Sequence, residues 1–152
     1  MTKDNVLCFL RKLMPFLLTL GLWRLSVAFW NPAGILALIP IFYYSFINKK
    51  PGFSVYALLF CFLLDYNFNT LLFWTSLYCF TYAVIGFQNF IDLSKLEKNG
   101  THAFMIFLGT GIFLLTCINL NLSNLIRSVW LFAWVTTLYI PTTALIKKVS
   151  DD

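Results

Sequence analysis

Three charged side chains interrupt stretches that are otherwise apolar: Arg24, Asp65 and Arg127. An ionisable group inside an apolar segment of membrane-spanning length is costly, so it tends to meet an opposite charge or reach water. One carboxylate and two guanidinium groups could form an ion pair, Asp65 with Arg24 or with Arg127. The competing reading is that each reaches the nearest polar boundary separately. Little else has the makings of a reactive centre. His102 is the single histidine, with no Cys, Asp or Glu at ligand spacing, and it reads as a boundary residue rather than a metal ligand. Cys8, Cys61, Cys79 and Cys117 form no CxxC pair, and three of them sit within apolar runs. They read as small hydrophobes, without a disulfide framework. Ser26, Ser45, Ser54 and Ser76 lack a local base, and the chain has no GxSxG elbow, HExxH or Gly-rich phosphate loop. Asp65 is the only acid in the apolar segments, so chemistry needing two carboxylates has no basis. No enzyme, cofactor or metal centre is expected.

Composition says what holds these residues. Of the 152 residues, 60% are hydrophobic and only 11% are charged. Soluble domains are nearer half apolar and a quarter charged. A chain this short leaves much of its surface outside any core, so the apolar surplus calls for lipid as solvent. The net charge of +5 could suggest nucleic acid. That reading needs basic residues clustered on one face among polar neighbours. Here they fall in small groups between nearly uncharged stretches, so no nucleic-acid partner is expected.

The apolar pattern predicts an all-α, polytopic transmembrane bundle of about six helices in one domain. The spans are read as 13–30, 33–47, 53–68, 70–91, 102–120 and 125–146. Pro15 is placed in the first turn of the first span, where a missing N–H costs least. Asn31-Pro32 and Asn48-Lys49-Lys50-Pro51-Gly52 mark turns. Asp92 to Thr101, with Lys95, Glu97 and Lys98, is the most polar loop, and Lys147 to Asp152 is a short polar tail. Lys3 to Lys12 followed by Leu13 to Trp23 could be a signal peptide, with Ser26-Val27-Ala28 as a weak cleavage site. Arg24 just after that run, and the apolar stretch beyond it, favour an uncleaved first span.

Orientation follows from the 11 Lys and Arg residues. Lys3, Arg11, Lys12, Lys49, Lys50, Lys95, Lys98, Lys147 and Lys148 fall in the N-terminal segment, alternate loops and the tail. Six spans put all of these on one side, which the positive-inside tendency makes the cytoplasm. Five spans would separate the tail lysines from the others. Both termini are then cytoplasmic, and Arg24, Asp65 and Arg127 lie toward the outer face. Spans two and three are short for a hydrocarbon core of about 30 Å. A re-entrant hairpin would leave Lys49 and Lys50 in the membrane, so two short, tilted or kinked crossings are preferred. Pro40 and Pro141 each free a backbone carbonyl within a span and mark a kink or a groove for a partner. Ala33 with Ala37, and Gly109-Thr110-Gly111, read as sites of close helix packing.

The order of these features resembles the rod shape-determining MreD family of bacteria, in its alphaproteobacterial form. Leu10-Arg11-Lys12-Leu13-Met14-Pro15 resembles the family's basic-then-proline start of the first helix. Pro40-Ile41-Phe42-Tyr43-Tyr44 with Lys50-Pro51 is similar to its second helix and following turn. Phe60-Cys61-Phe62-Leu63-Leu64-Asp65 resembles its third helix, which ends in an aspartate. Trp134-Val135-Thr136-Thr137-Leu138-Tyr139-Ile140-Pro141 resembles its last helix. The likeness spans nearly the whole chain, though Cys61, Asn69 and Phe73 stand where the family usually has glycine or proline. The resemblance implies a non-enzymatic scaffold of the inner membrane that supports cell shape and peptidoglycan elongation. It would bind a single-span MreC-like partner and act indirectly with an MreB-like actin and the cell-wall synthases. The family's fold is similar to the substrate-binding membrane subunits of energy-coupling-factor transporters. The alternative is therefore a small-solute-binding transport subunit, for which Arg24, Asp65, Asn67, Asn69 and Arg127 are the polar candidates. A scaffold should offer an apolar lateral groove, and a transport subunit an enclosed polar pocket.

Overall fold

The computed structural model describes residues 3–29, 34–86, 100–118 and 121–151. Every regular element among the described residues is helical, and these elements form six helical segments. They are α1 (Lys3–Phe29), a second segment (Ile35–Ile47), α3 (Phe53–Phe68), α4 (Phe73–Gly86), α5 (Gly100–Ile118) and α6 (Leu122–Asp151). The second segment changes pitch twice. A 3₁₀ turn (Ile35–Ala37) leads into the short α2 (Leu38–Phe42), and a π turn (Tyr43–Ile47) follows.

This irregular segment is the core. Every residue from Gly34 to Phe46 is buried. Phe42 lies 5.5 Å, ring to ring, from both Phe104 and Phe107 of α5. Phe46 lies 5.5 Å from Tyr78 of α4, and Tyr44 lies 5.4 Å from Phe53 of α3. The Tyr78 hydroxyl donates to Ser45 Oγ at 2.9 Å. α1 and α6 pack against the remaining sides. Gly34 opens the segment at φ 99°, and a Cβ there would lie 2.6 Å from the Trp23 indole. Glycine meets both the backbone and the space requirement at that turn.

The other helices wrap this centre. Phe16 packs on Phe53 and Tyr56 while Trp23 packs on Phe60, so α1 and α3 run parallel. α3 with α4, and α5 with α6, form hairpins. The second hairpin is held by Phe104 stacked on Tyr139 at 4.2 Å and by Thr116 donating to Ser128 at 2.9 Å. One end of the bundle gathers the early turns of α1, the turn after Ile47 and the late turns of α6. The other end holds the α1-to-Gly34 contact, the α3–α4 turn and the Thr116–Ser128 bond.

The outward faces are apolar. Val55, Leu59 and Phe62 of α3, and Phe113 and Ile126 of α5 and α6, are exposed. Gly100–Ile118 and Leu122–Lys148 are long and apolar enough to cross a membrane. Ile35–Ile47, Phe53–Asn67 and Phe73–Ile85 are apolar but shorter.

Several sequence boundaries move. Pro15 is not in a first turn, because α1 begins at Lys3 and continues through the polar residues ahead of the apolar run. Pro15 therefore sits in the helix interior, where it leaves the Arg11 carbonyl without its usual donor. Lys50 Nζ supplies a long substitute bond to that oxygen at 3.4 Å. The fourth helix begins at Phe73 rather than residue 70, because Asn69 and Leu72 both take left-handed backbone with φ 55°. α5 begins at Gly100, where Ile47 and Tyr139 crowd a residue that has no side chain. α6 extends past 125–146 at both ends because its polar flanks stay helical. The Asn31-Pro32 break, the small-residue match at Ala33, the helix ends at 30, 91 and 120, and Lys95, Glu97 and Lys98 lie outside the described residues.

α5 comes close to α4 at Gly111, where a Cβ would lie 2.6 Å from Trp74. At Gly109 it would lie 3.3 Å from Phe132, a half-buried ring that borders an open groove. Gly111→Ala should therefore cost about 1–3 kcal/mol by overpacking, and Gly109→Ala much less. Thermal unfolding in detergent should show a clear drop for the first and little change for the second. Equal midpoints would contradict this packing of α4 on α5.

Candidate functional site

Asp65 is 3% exposed, the one buried charged side chain among the described residues. Its position follows from how two helices join. α3 ends with Asn69 in left-handed backbone, and the Asn69 and Thr70 amides donate to the Tyr66 and Asp65 carbonyls. This is the Schellman closure, for which Asn is the usual substitute for glycine. The next helix starts three residues on, and its first amides have no partner within the helix. The residue flanking its start is Leu72, which has no polar side chain to offer.

The Asp65 carboxylate takes that role from the preceding helix. Oδ1 accepts from Trp74 N at 2.7 Å and Thr70 Oγ1 at 2.9 Å. Oδ2 accepts from Thr75 N at 2.9 Å and Thr75 Oγ1 at 2.6 Å. One residue thus closes α3 with its carbonyl and opens α4 with its carboxylate. A negative charge at a helix N-terminus also meets the positive end of the helix dipole. Chemically this is a structural anion. Each carboxylate oxygen is held by two donors, which leaves little capacity to bind a solute.

The three charges of the expected cluster are thus placed differently. Arg24 on α1 and Arg127 on α6 are exposed. The four bonds to Asp65 come from Thr70, Trp74 and Thr75, none from an arginine. Pro40 is buried inside the second segment, whereas Pro141 is exposed on α6. His102 is exposed at the start of α5. All four cysteines are unbridged, with Cys61 buried and the others exposed. Among the described residues no group of three or more His, Cys, Asp or Glu could hold a metal ion.

Two contacts had no warning in the sequence reading. Ser26 Oγ accepts from Gly34 N at 2.9 Å and ties α1 to the start of the core segment. Thr70 and Thr75 complete the cage around Asp65. A signal for the second was present: an acid at the end of one apolar run, with threonines flanking the start of the next.

A further feature is a groove of about 350 Å³ on the outside of the α5–α6 hairpin. Gly109 and Ile112 form its floor with Phe132, and the exposed Phe113, Leu125 and Val129 form its rim. Thr116 and Ser128, which contribute its polar atoms, bond to each other. The lining is therefore apolar apart from an internally satisfied pair and Cys117.

No protein-family model, curated protein or solved structure matches this chain.

The capping role makes a sharp prediction. Asp65→Ala strands a buried and a part-buried amide and should lower stability by roughly 2–4 kcal/mol. Asp65→Asn keeps acceptor oxygen and should cost less. Asp65→Arg should not be rescued by Arg24→Asp or by Arg127→Asp. Thermal unfolding of the purified variants checks the set, and recovery in either charge-swapped pair would restore the ion-pair reading.

Proposed function

We propose that the chain is a six-span integral protein of the bacterial inner membrane, with its basic end and both termini on the cytoplasmic side. We propose further that it is a non-enzymatic scaffold of the MreD type. It would hold a single-span, MreC-like partner within the bilayer and so support peptidoglycan elongation and cell shape. The MreB-like actin and the cell-wall synthases would be reached through that partner.

The membrane reading is supported by a surface that is apolar like the interior. The irregular backbone lies innermost, and apolar side chains face outward on the surrounding helices. Backbone that departs from a regular helix is tolerated at membrane depth only where protein encloses it. The side assignment rests on Arg11, Lys12 and Lys50 meeting at one end of the bundle.

The scaffold reading rests on the groove between α5 and α6. Its lateral opening and apolar lining suit a transmembrane helix, and Gly109 lets a partner backbone come close. A solute-binding subunit would instead need unsatisfied polar groups converging on an enclosed pocket. At the outer end Arg24, Asn67, Asn69 and Arg127 are exposed, and Asp65 is committed to capping.

A photoreactive amino acid at Phe113 or Val129 tests this in living cells. The expected product is a covalent adduct with a single-span protein carrying a periplasmic coiled coil. The same probe at Leu59, on the outer face of α3, should give none. Adducts at Leu59 alone, or a small molecule copurifying in place of a protein, would overturn the scaffold reading.

A further inference from the structure

The basic end of the bundle contains a cavity of about 400 Å³ between the early turns of α1, the turn after Ile47 and the late turns of α6. Its wall has two chemical halves. Arg11, Lys12 and Lys50 supply cationic groups, and residues such as Leu18 and Ile146 supply apolar surface. Among the described residues that line it, none is acidic.

Lys50 is held in place here. Its ammonium donates to the Arg11 carbonyl, the oxygen that Pro15 leaves without a helical donor, at 3.4 Å. It also lies 6.0 Å from the centre of the Tyr44 ring, at the limit of cation–π attraction. Burial lowers the Lys50 pKa from its ordinary value, and the Lys12 charge lowers it further. Like charges gathered without an anion repel one another, and a bound anion would relieve that repulsion.

We propose that this cavity binds the phosphate group of an anionic phospholipid from the adjacent leaflet. The phosphate would sit among Arg11, Lys12 and Lys50, with the first acyl methylenes against Leu18 and Ile146. Basic pockets between membrane helices on the cytoplasmic side suit such headgroups. A soluble phosphate could meet the same cations but would make no use of the apolar half. The proposal rests on the membrane reading above.

Native mass spectrometry of the full chain in mild detergent, with equimolar phosphatidylglycerol and phosphatidylcholine, tests it. Phosphatidylglycerol should be retained preferentially. Arg11→Gln and Lys50→Gln should each reduce that preference about fivefold, the effect of one cation near a lipid surface. Arg24→Gln should leave it unchanged, and circular dichroism should report the same helix content for every variant. Equal retention of the two lipids, or a preference that survives the Arg11→Gln/Lys50→Gln double change, would overturn the proposal. Displacement of phosphatidylglycerol by inorganic phosphate at equal concentration would overturn the lipid as the source. Carbonate extraction separates the two readings. Release of the chain would sink the membrane reading and this site with it, whereas retention without lipid preference would sink this site alone.

Discussion

A backbone amide or carbonyl in the hydrocarbon of a bilayer has no water to bond, so irregular main chain must be enclosed by protein. On the proposed membrane reading, that constraint organises this molecule. The segment Ile35–Ile47 passes through 3₁₀, α and π geometry and contains Pro40, so its hydrogen-bond ladder is not that of one continuous helix. It is also the segment in which burial runs unbroken from Gly34 to Phe46. At about 1.5 Å per residue it spans roughly 20 Å, short of a bilayer core. α1, α3, α4, α5 and α6 serve as its immediate surroundings, and their outer faces meet what lies beyond.

The two ends of the bundle solve the problem of helix termini differently. At one end buried hydroxyl and carboxylate groups are satisfied within the protein, while Arg24 and Arg127 are exposed. Ser26 meets Gly34, Thr116 meets Ser128, and the Asp65 carboxylate is consumed by four donors. At the other end, Arg11, Lys12 and Lys50 line a cavity whose described lining holds no acid. A carboxylate enclosed by local donors adds rigidity at a turn, while cations without a counter-charge remain available to a ligand. The polarity of the molecule thus lies less in net charge than in which charges are already matched.

Much of the fold was legible from apolar periodicity and turn residues. The third helix falls over the residues read for it, and the second runs to the same end, Ile47, but starts only after the left-handed turn at Gly34. Helix ends were less legible where polar residues continue a helix beyond the apolar run, as in α1 and α6. Pro15 was misplaced for that reason. The role of Asp65 was hidden more deeply. Charge alone pointed to arginine partners, but the donors that win are backbone amides nine and ten residues on. Their availability depends on Asn69 and Leu72 both turning left-handed, and Leu72 is a residue type that does not announce it. The groove between α5 and α6 was foreshadowed only by Gly109 and Gly111, which read as simple close packing. They divide the work instead: Gly111 faces Trp74 inside, and Gly109 helps form the open surface.

The central claim is that the short core segment and its neighbours each cross the bilayer, so successive turns alternate sides. Single cysteines at Asn48, Asn69, Asn121 and Lys148, introduced into a cysteine-free background, test this with a membrane-impermeant maleimide on intact cells. The account predicts labelling at 69 and 121 from outside, and at 48 and 148 only after permeabilisation. Labelling of 48 and 69 from the same side would contradict it, because α3 would then fail to cross.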